Sequence, residues 1–247
     1  MIEIKNLTKS FDTKKITDGL NLTVKDNDFM AIIGRSGEGK SVLLKQLIGL
    51  IKPDAGQIII DEQDISKLSK KELEAVYKKC GYVFQFAALL DSLTVFENVG
   101  ITLLEEGELP EKVKPLVIER LKSVGLSKEA LEKYPDELSG GMKKRVGLAR
   151  TLMLSPKILI YDEPTTGLDP ITVKIIHELI KKTHDDLQAT SIVISHDIEV
   201  FKYAYTVSML HEGKIVYTGP SETVWESDDP YIYQFIRGLE KGPIKIR

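Results

Sequence analysis

The chain alternates short apolar runs with longer amphipathic stretches, which is the pattern of strands separated by helices. Residues 29–33, 157–161 and 191–195 are apolar enough to be buried strands of a parallel sheet. Residues 42–50 and 171–187 have helical spacing. Because strands and helices alternate in this way, we predict an α/β fold with a mostly parallel sheet covered on both faces.

Shorter segments add to this sheet. Residues 57–60 and 82–84 predict two further strands, and residues 207–217 predict a hairpin that turns at Glu212 and Gly213.

Two parts of the chain depart from the alternation. Residues 1–30 alternate apolar and polar side chains with turn residues between them, which predicts an N-terminal antiparallel β-subdomain. Residues 91–136 are charged and helical in spacing, for example at 111–124, and contain no buried-strand pattern. We therefore predict an inserted α-helical subdomain over about residues 91–155.

The remaining boundary lies near the C-terminus. We predict one domain over residues 1–237, ending in a short helix at 230–237, and a C-terminal tail over residues 238–247. A solvated tail is the default for a polar terminus, and a contact with another subunit is the alternative.

Composition narrows the class of protein. Hydrophobic residues make up 42% of the chain and charged residues 29%, as in a folded domain, and the net charge of −3 gives no footprint of a dedicated nucleic-acid binder. The single cysteine, Cys80, cannot form an internal disulfide, and its apolar neighbours favour a buried structural thiol. We find no signal-peptide pattern and no apolar stretch of ~18 residues, so a membrane role is expected to act through a partner.

The most informative motif is a glycine-rich loop. Residues 34–41 read Gly-Arg-Ser-Gly-Glu-Gly-Lys-Ser and match the pattern G-x-x-x-x-G-K-S between a predicted strand and a predicted helix. Such a loop directs successive N–H groups at an anion, with Lys40 reaching the β- and γ-phosphates and Ser41 binding Mg²⁺. We therefore expect nucleoside triphosphate binding. Glu38 is unusual here, because an acid near phosphates is unfavourable unless it points away.

Two acids follow the apolar run at 157–161. Ligands bind at the carboxyl ends of parallel strands, so Asp162 and Glu163 are expected to face the phosphate site. Asp162 suits the Mg²⁺ shell, and Glu163 is placed to orient or deprotonate the attacking water. The alternative is that both acids only cap the helix that follows Pro164.

A third motif points to a family. Residues 138–142 read Leu-Ser-Gly-Gly-Met and, lying between the phosphate loop and the acid pair, resemble the LSGGQ signature of ATP-binding cassette (ABC) ATPases. The resemblance extends to Gln85 in the Q-loop, residues 167–169 in the D-loop and His196 in the H-loop, all in the family's order. It implies the P-loop NTPase fold of ABC ATPases, ATP hydrolysis, and ATP and Mg²⁺ as cofactors.

The resemblance also implies roles for single residues. Glu163, His196 and Lys40 would be catalytic, with His196 donating to the γ-phosphate or positioning Glu163. Asp169 would belong to the D-loop. The implied metal ligands are Ser41, Gln85 and Asp162. The implied ATP-binding residues are Phe11, Gly34, Arg35, Ser36, Gly37, Glu38, Gly39, Lys40, Ser41, Val42 and Gln85.

Two of these residues have plain alternatives. Phe11 matches the aromatic that stacks on adenine, but a single aromatic in a β-region can equally be a core residue. Gln85, outside its motif context, would read as a surface glutamine.

The signature has a consequence for assembly. In this family the signature residues of one chain close on ATP held by the phosphate loop of a second copy, which here assigns Ser139, Gly140 and Gly141 a role in trans. The resemblance therefore implies a nucleotide-dependent dimer with two composite sites.

Departures from the general family pattern point to one branch. The signature continues from Met142 as Lys-Lys-Arg-Val-Gly-Leu-Ala-Arg, and Gln85 is followed by Phe-Ala-Ala-Leu-Leu-Asp-Ser-Leu-Thr-Val-Phe. Together with the sequence around the acid pair, these segments resemble the ATPase of the Mla-type, MCE-associated phospholipid transporters of bacterial envelopes. In that family residues 85–99 would lie beside a membrane subunit. The apolar side chains available for that contact, with core packing as the alternative, are Phe86, Leu89, Leu90 and Phe96.

The resemblance implies partners outside this chain. These are a second copy, an integral membrane permease, an MCE-domain lipid-binding protein and, in some systems, a STAS-domain subunit, with no nucleic acid. The implied location is peripheral, at the cytoplasmic face of the bacterial inner membrane. A transport ATPase for another cargo and a soluble ABC ATPase unrelated to transport remain as alternatives. The intact Lys40, Asp162, Glu163 and His196 argue against a non-hydrolysing regulatory cassette.

Overall fold

The computed structural model of the chain describes residues 1–245. The strands are β1 (Ile2–Phe11), β2 (Lys14–Val24), β3 (Phe29–Ile33), β4 (Ala55–Ile60), β5 (Gln63–Asp64), β6 (Cys80–Val83), β7 (Ile158–Asp162), β8 (Thr190–Ile194), β9 (Thr206–His211) and β10 (Lys214–Pro220). The helices are α1 (Lys40–Leu47), α2 (Lys70–Lys79), α3 (Val95–Glu105), α4 (Pro110–Ser123), α5 (Gly140–Leu152), α6 (Pro170–Leu187) and α7 (Pro230–Arg237). No helix within residues 1–245 combines the length and apolar character needed to cross a bilayer.

Two sheets form the framework. The larger has the order β10-β9-β3-β8-β7-β6, in which only β10 runs antiparallel to its neighbour. The smaller has the order β2-β1-β4-β5 and is antiparallel. The α/β fold class with a mostly parallel sheet and an N-terminal antiparallel region is therefore confirmed.

The central strands are buried on both faces. Along β3, Phe29, Ala31 and Ile33 pack into one apolar cluster, whereas Met30 and Ile32 pack into a second cluster on the opposite face. This alternation follows from the period of two in a strand, and it explains why the sequence reads as an unbroken apolar run.

The parallel strands bring separate motifs to one edge of the larger sheet. β3 leads into the glycine-rich loop, β7 ends at Asp162, β8 leads to His196 and β6 leads to Gln85. Because these four strands are parallel and adjacent in the order β3-β8-β7-β6, their carboxyl ends meet at the same edge.

Helices α3, α4 and α5 contact one another and fill the region predicted to be a helical insertion. Their buried residues, such as Val99, Val117 and Val146, belong to the same apolar cluster as Phe29 and Tyr161 of the sheet. The helical region therefore shares a core with the sheet, and its limits at about residues 91 and 155 stay a prediction.

Helix α2 has no counterpart in the sequence prediction. It begins with a capping box, in which Ser69 and Glu72 bond each other's backbone, and it buries Leu73 and Val76. Strand β6 is also displaced by one or two residues from the predicted 82–84.

The expectation of a solvated C-terminal tail is wrong at Ile244, which is 5% exposed and lies in the main apolar cluster. The buried side chain of Gln234 in α7 explains this. Its Oε1 accepts the N–H of Ile244 at 2.8 Å and its Nε2 donates to the carbonyl of Ile244 at 3.0 Å. Leu239 is 43% exposed, so the tail is solvated in part. The predicted tail residues Ile246 and Arg247 lie outside the described residues.

Candidate active site

The glycine-rich loop lies against two other elements. A Cβ atom on Gly34 would stand 2.4 Å from the carbonyl oxygen of Leu210 in β9, and one on Gly39 would stand 2.4 Å from Ile16 in β2. Gly39, with φ of 94°, immediately precedes α1. Only glycine permits these approaches, and they hold the loop at the N-terminus of α1, where backbone N–H groups favour an anion.

Lys40 is 4% exposed and is held inside this loop. Its ammonium donates to the carbonyl oxygens of Gly34 at 2.8 Å and Arg35 at 2.9 Å, and it lies 3.9 Å from Oε1 of Glu163. Burial lowers the pKa of Lys40, and nearby carboxylates, Glu163 first among them, oppose that lowering. The cation is thus positioned by neutral acceptors that a phosphate can replace.

Ser41 and Asp162 place two side-chain oxygen atoms close together, where both could bind a metal ion. The hydroxyl of Ser41 donates to Oδ1 of Asp162 at 2.9 Å, and the phenol of Tyr82 donates to Oδ2 at 2.8 Å. Hard oxygen ligands in small number suit Mg²⁺, which takes its other ligands from phosphates and water. Within residues 1–245 there is no cluster of three or more His, Cys, Asp or Glu side chains that could hold a metal ion.

Glu163 lies where three predicted motifs meet. Its Oε2 accepts from the hydroxyl of Thr166 at 3.0 Å and from Nε2 of Gln85 at 3.4 Å, and it lies 3.4 Å from Nδ1 of His196. The Glu163 backbone has φ of 45°, and its N–H donates to Ile194 at the end of β8. A carboxylate held from several sides can orient a water molecule and accept its proton.

The structure therefore brings Lys40, Gln85, the adjacent pair Asp162 and Glu163, and His196 together from four separate parts of the sequence. Gln85 contacts Glu163 through its side chain, so its implied part in holding the metal stays a prediction.

Other predicted ATP-binding residues surround this centre. Phe11 is 45% exposed, which argues against the core-aromatic alternative, and the ammonium of Lys9 lies 5.4 Å from its ring centroid. Ser36 and Gly37 are exposed, and Val42 is half-buried. The contacts of these residues with ATP stay predictions.

Two loop side chains reach outward. The guanidinium of Arg35 donates to the backbone carbonyl of Lys245 at 2.7 Å. The carboxylate of Glu38 contacts His211 and Glu212, so this acid does point away from the loop.

The signature residues begin helix α5. Ser139 is its N-cap and accepts the N–H of Met142 at 3.3 Å, while Ser139 and Gly140 are exposed and Gly141 is half-buried. Exposed N–H groups at a helix start are available to an anion from outside the chain. Asp169 caps α6 in a similar way, because its carboxylate accepts the backbone N–H groups of Ile171 and Thr172. A hydrogen bond from the hydroxyl of Thr172 lowers the pKa of the Asp169 carboxyl group.

Sequence reasoning missed four residues that contact the site. Tyr82 holds Asp162, Thr166 holds Glu163, Lys144 donates to the carbonyl of Gln85, and His211 contacts Glu38. Thr166 lies three residues after Glu163, a spacing that suggests a local bond. The other three contacts depend on tertiary packing and leave no local pattern.

The comparison with known families decides the identity. The sequence profile described as ABC transporter matches residues 17–166. The chain belongs to the ABC transporter family. As an ABC ATPase it binds nucleotide and hydrolyses ATP, which matches the placement of Lys40, Glu163 and His196.

Relatives of this ABC ATPase narrow the branch. It is 41% identical to the intermembrane phospholipid transport system ATP-binding protein MlaF of Haemophilus influenzae, over 100% of this chain and 94% of the relative. It is 39% identical to the probable ribonucleotide transport ATP-binding protein mkl of Mycobacterium tuberculosis, over 98% of this chain and 68% of the relative. The resemblance to Mla-type ATPases is confirmed.

A solved structure agrees with the fold. The dimeric ATP-binding cassette MJ0796, in a post-hydrolysis state bound to ADP and Pi, superposes with a TM-score of 0.83 at 32% identity, covering 90% of this chain and 99% of that chain.

Proposed function

We propose that this ABC ATPase powers phospholipid transport across a bacterial envelope through a separate permease. The observation that carries this proposal is its 41% identity to a phospholipid transport ATPase, extending over the whole chain. The second MlaF relative, from Escherichia coli, supports it at 36% identity over 100% of this chain.

The chemistry follows from the arrangement of the site. Glu163 orients a water molecule and accepts its proton, while Thr166 and His196 fix the carboxylate. Lys40 and the loop N–H groups oppose the charge on the phosphates. Ser41 and Asp162 would hold Mg²⁺, which would neutralise charge on the β- and γ-phosphates.

The exposed signature supports a composite site. We propose that Ser139, Gly140 and Gly141 close on ATP bound to the loop of a second copy, with Asp169 at the same interface. The dimeric state of the MJ0796 cassette supports this assembly. ATP would then hold two subunits together, and its hydrolysis would weaken the interface between them.

An apolar surface beside Gln85 supports a membrane partner. Phe86 is 79% exposed and Leu90 is 46% exposed, and Leu90 lines a groove of about 400 Å³ together with Phe84 and Ile101. Exposed aromatic side chains of this kind serve as anchors in protein interfaces. Leu89 and Phe96, which also belong to the predicted set, pack against the core instead.

We propose that this surface receives the permease. The protein would then act at the cytoplasmic face of the bacterial inner membrane, with an MCE-domain protein handling lipid beyond it. A STAS-domain subunit is a further proposed partner of the ATPase.

The test is a mass-spectrometric census of proteins that co-purify with the tagged Glu163→Gln variant from detergent-solubilised native membranes in ATP. Recovery of a permease with an MCE-domain protein is expected. A permease with a different binding protein would contradict the lipid assignment, and ribosomal or DNA-associated partners alone would contradict transport.

A matched pair of variants tests the contact surface in the same experiment. Phe86→Glu places a charge on the apolar surface and should abolish recovery of the permease. Tyr77→Glu changes an aromatic that is 37% exposed on α2, and recovery should persist.

A second cargo has one observation in its favour. The 39% identity to mkl, whose name refers to ribonucleotide transport, is close to the identity with MlaF. Lipid extraction from the extracytoplasmic binding partner, separated from the membrane complex, distinguishes the two cargoes. Phospholipid transport predicts phospholipid bound to that partner, whereas ribonucleotide transport does not.

A further inference from the structure

We propose that His211 is a positioning residue that keeps the Glu38 carboxylate directed away from the phosphates of bound ATP. This role concerns nucleotide binding alone and does not depend on which cargo is transported.

Glu38 stands out because it is an acid within the phosphate loop, between Gly37 and Gly39. Its side chain is only 15% exposed, so the carboxylate is packed rather than solvated. It is also close enough to the cradle to oppose the lowering of the Lys40 pKa, which burial causes. A carboxylate at this position that turned toward the phosphates would repel them.

Both carboxylate oxygens are instead bonded to the β9–β10 hairpin. Oε1 lies 3.2 Å from Nδ1 of His211, and Oε2 accepts the backbone N–H of Glu212 at 2.7 Å. His211 must present a proton on Nδ1 to donate in this pair, since an ionised carboxylate only accepts. The two donors together fix the side chain in one direction.

The hairpin that carries His211 is itself held in place. The His211 ring is 8% exposed and packs against the ring of Tyr231 in α7, with centroids 5.5 Å apart. The carbonyl of Gly213 in the turn accepts the N–H of Asp18 from β2 at 3.0 Å. Because the hairpin is fixed from two sides, His211 can act as a rigid anchor for the carboxylate of Glu38.

Restraint of Glu38 by His211 has a different consequence from a role of His211 in packing alone. If His211 only packed the hairpin, its removal would weaken ATP binding equally whether or not residue 38 carries a charge. If it restrains the Glu38 charge, its removal should be harmful with Glu38 and nearly harmless once that charge is gone.

The experiment is a double-mutant cycle on the equilibrium dissociation constant for a fluorescent ATP analogue, measured with Mg²⁺ and again in excess chelator. His211→Ala should weaken binding about tenfold, as expected when an unrestrained like charge stays near the phosphates. In the Glu38→Gln background, the same change should alter the dissociation constant by no more than about twofold. An equal loss in both backgrounds would overturn the proposal.

Two further variants keep the test sharp. His211→Asn offers an amide N–H in place of Nδ1–H and should recover most of the affinity. His211→Phe preserves an aromatic ring against Tyr231 without a donor, so it replaces His211→Ala if that variant fails to fold, and it should weaken binding to the same extent. Wild-type affinity in folded His211→Phe would also overturn the proposal.

Discussion

The hydroxyl of Thr166 donates a hydrogen bond to Oε2 of Glu163 over 3.0 Å. The same oxygen faces Gln85 and His196 at 3.4 Å each, and the other oxygen lies 3.9 Å from the ammonium of Lys40. Several groups thus fix one carboxylate at the edge of the sheet where the phosphate loop begins. Several side chains therefore orient Glu163 together, and the contribution of each one can be tested by substituting it alone.

Removal of the Thr166 hydroxyl should slow catalysis without weakening binding. A hydrogen bond to a charged group contributes about 1.5–3 kcal/mol, so Thr166→Val should lower kcat roughly tenfold or more, with little change in KM. Thr166→Ser retains the hydroxyl and is the matched control. Steady-state ATPase kinetics of both variants check this, and an unchanged kcat in Thr166→Val would remove Thr166 from the network.

The phenol of Tyr82 should set the apparent affinity for Mg²⁺. It donates to Asp162, and burial followed by the Asp162 charge raises the pKa of Tyr82, so it stays a donor through the neutral and mildly alkaline range. Loss of a partner that orients a metal ligand typically costs about 10–100-fold. Tyr82→Phe should therefore shift the Mg²⁺ concentration for half-maximal ATPase activity upward by at least about tenfold.

The control for the Mg²⁺ titration is Tyr77→Phe, which removes only a phenolic hydroxyl from an exposed position on α2. Its Mg²⁺ dependence should match the wild type. Coincident titrations for Tyr82→Phe and wild type would contradict the assignment.

The half-buried thiol of Cys80 should react slowly in the folded protein, because a raised pKa leaves little thiolate at neutral pH. Burial raises its pKa to about 12, with the Asp61 charge as a smaller cause. Because the folded pKa lies above the unfolded one, the unfolded chain ionises first as pH rises, and stability should fall between about pH 9 and 12. Iodoacetamide labelling at pH 9 should be slow in the native state and fast in denaturant. Native labelling as fast as labelling in denaturant would contradict the raised pKa of Cys80.

Gln234 should control the attachment of the C-terminal segment. Its buried amide makes both backbone bonds to Ile244, so Gln234→Ala should cost about 2 kcal/mol and lower Tm by a few degrees. The freed segment should be cut faster by trypsin after Lys241. Glu222→Ala, at an exposed position outside the C-terminal segment, should leave the cleavage rate unchanged. Equal rates for Gln234→Ala and wild type would mean that this bond does not hold the segment.

Site residues can be predicted from the sequence where a motif specifies both the residue type and its order along the chain. Asp162, Glu163 and His196 are predictable because each lies at or just after the end of a strand whose apolar run is visible in the sequence. Lys40 is predictable from the glycine-rich motif between β3 and α1. The parallel arrangement of those strands then brings the side chains together.

Contacts between residues that are far apart in the sequence are harder to predict from it. Tyr82 and Asp162 are 80 residues apart, and Glu38 and His211 are 173 residues apart, so neither pairing leaves a local pattern. The burial of Ile244 likewise depends on the side chain of Gln234 in a different element. Helix α2 is a different case, because Ser69 and Glu72 form a capping box that the sequence alone indicates.

The most direct test of the account is the ATPase rate of Glu163→Gln beside wild type, together with the mass of each protein in ATP. Glutamine preserves the size of the side chain but cannot accept the proton of the attacking water. If Glu163 is the base, the rate should fall by at least about 100-fold, with ATP retained and the protein trapped at twice the mass of one chain. Hydrolysis near the wild-type rate would contradict it, because Glu163 would then not be the base.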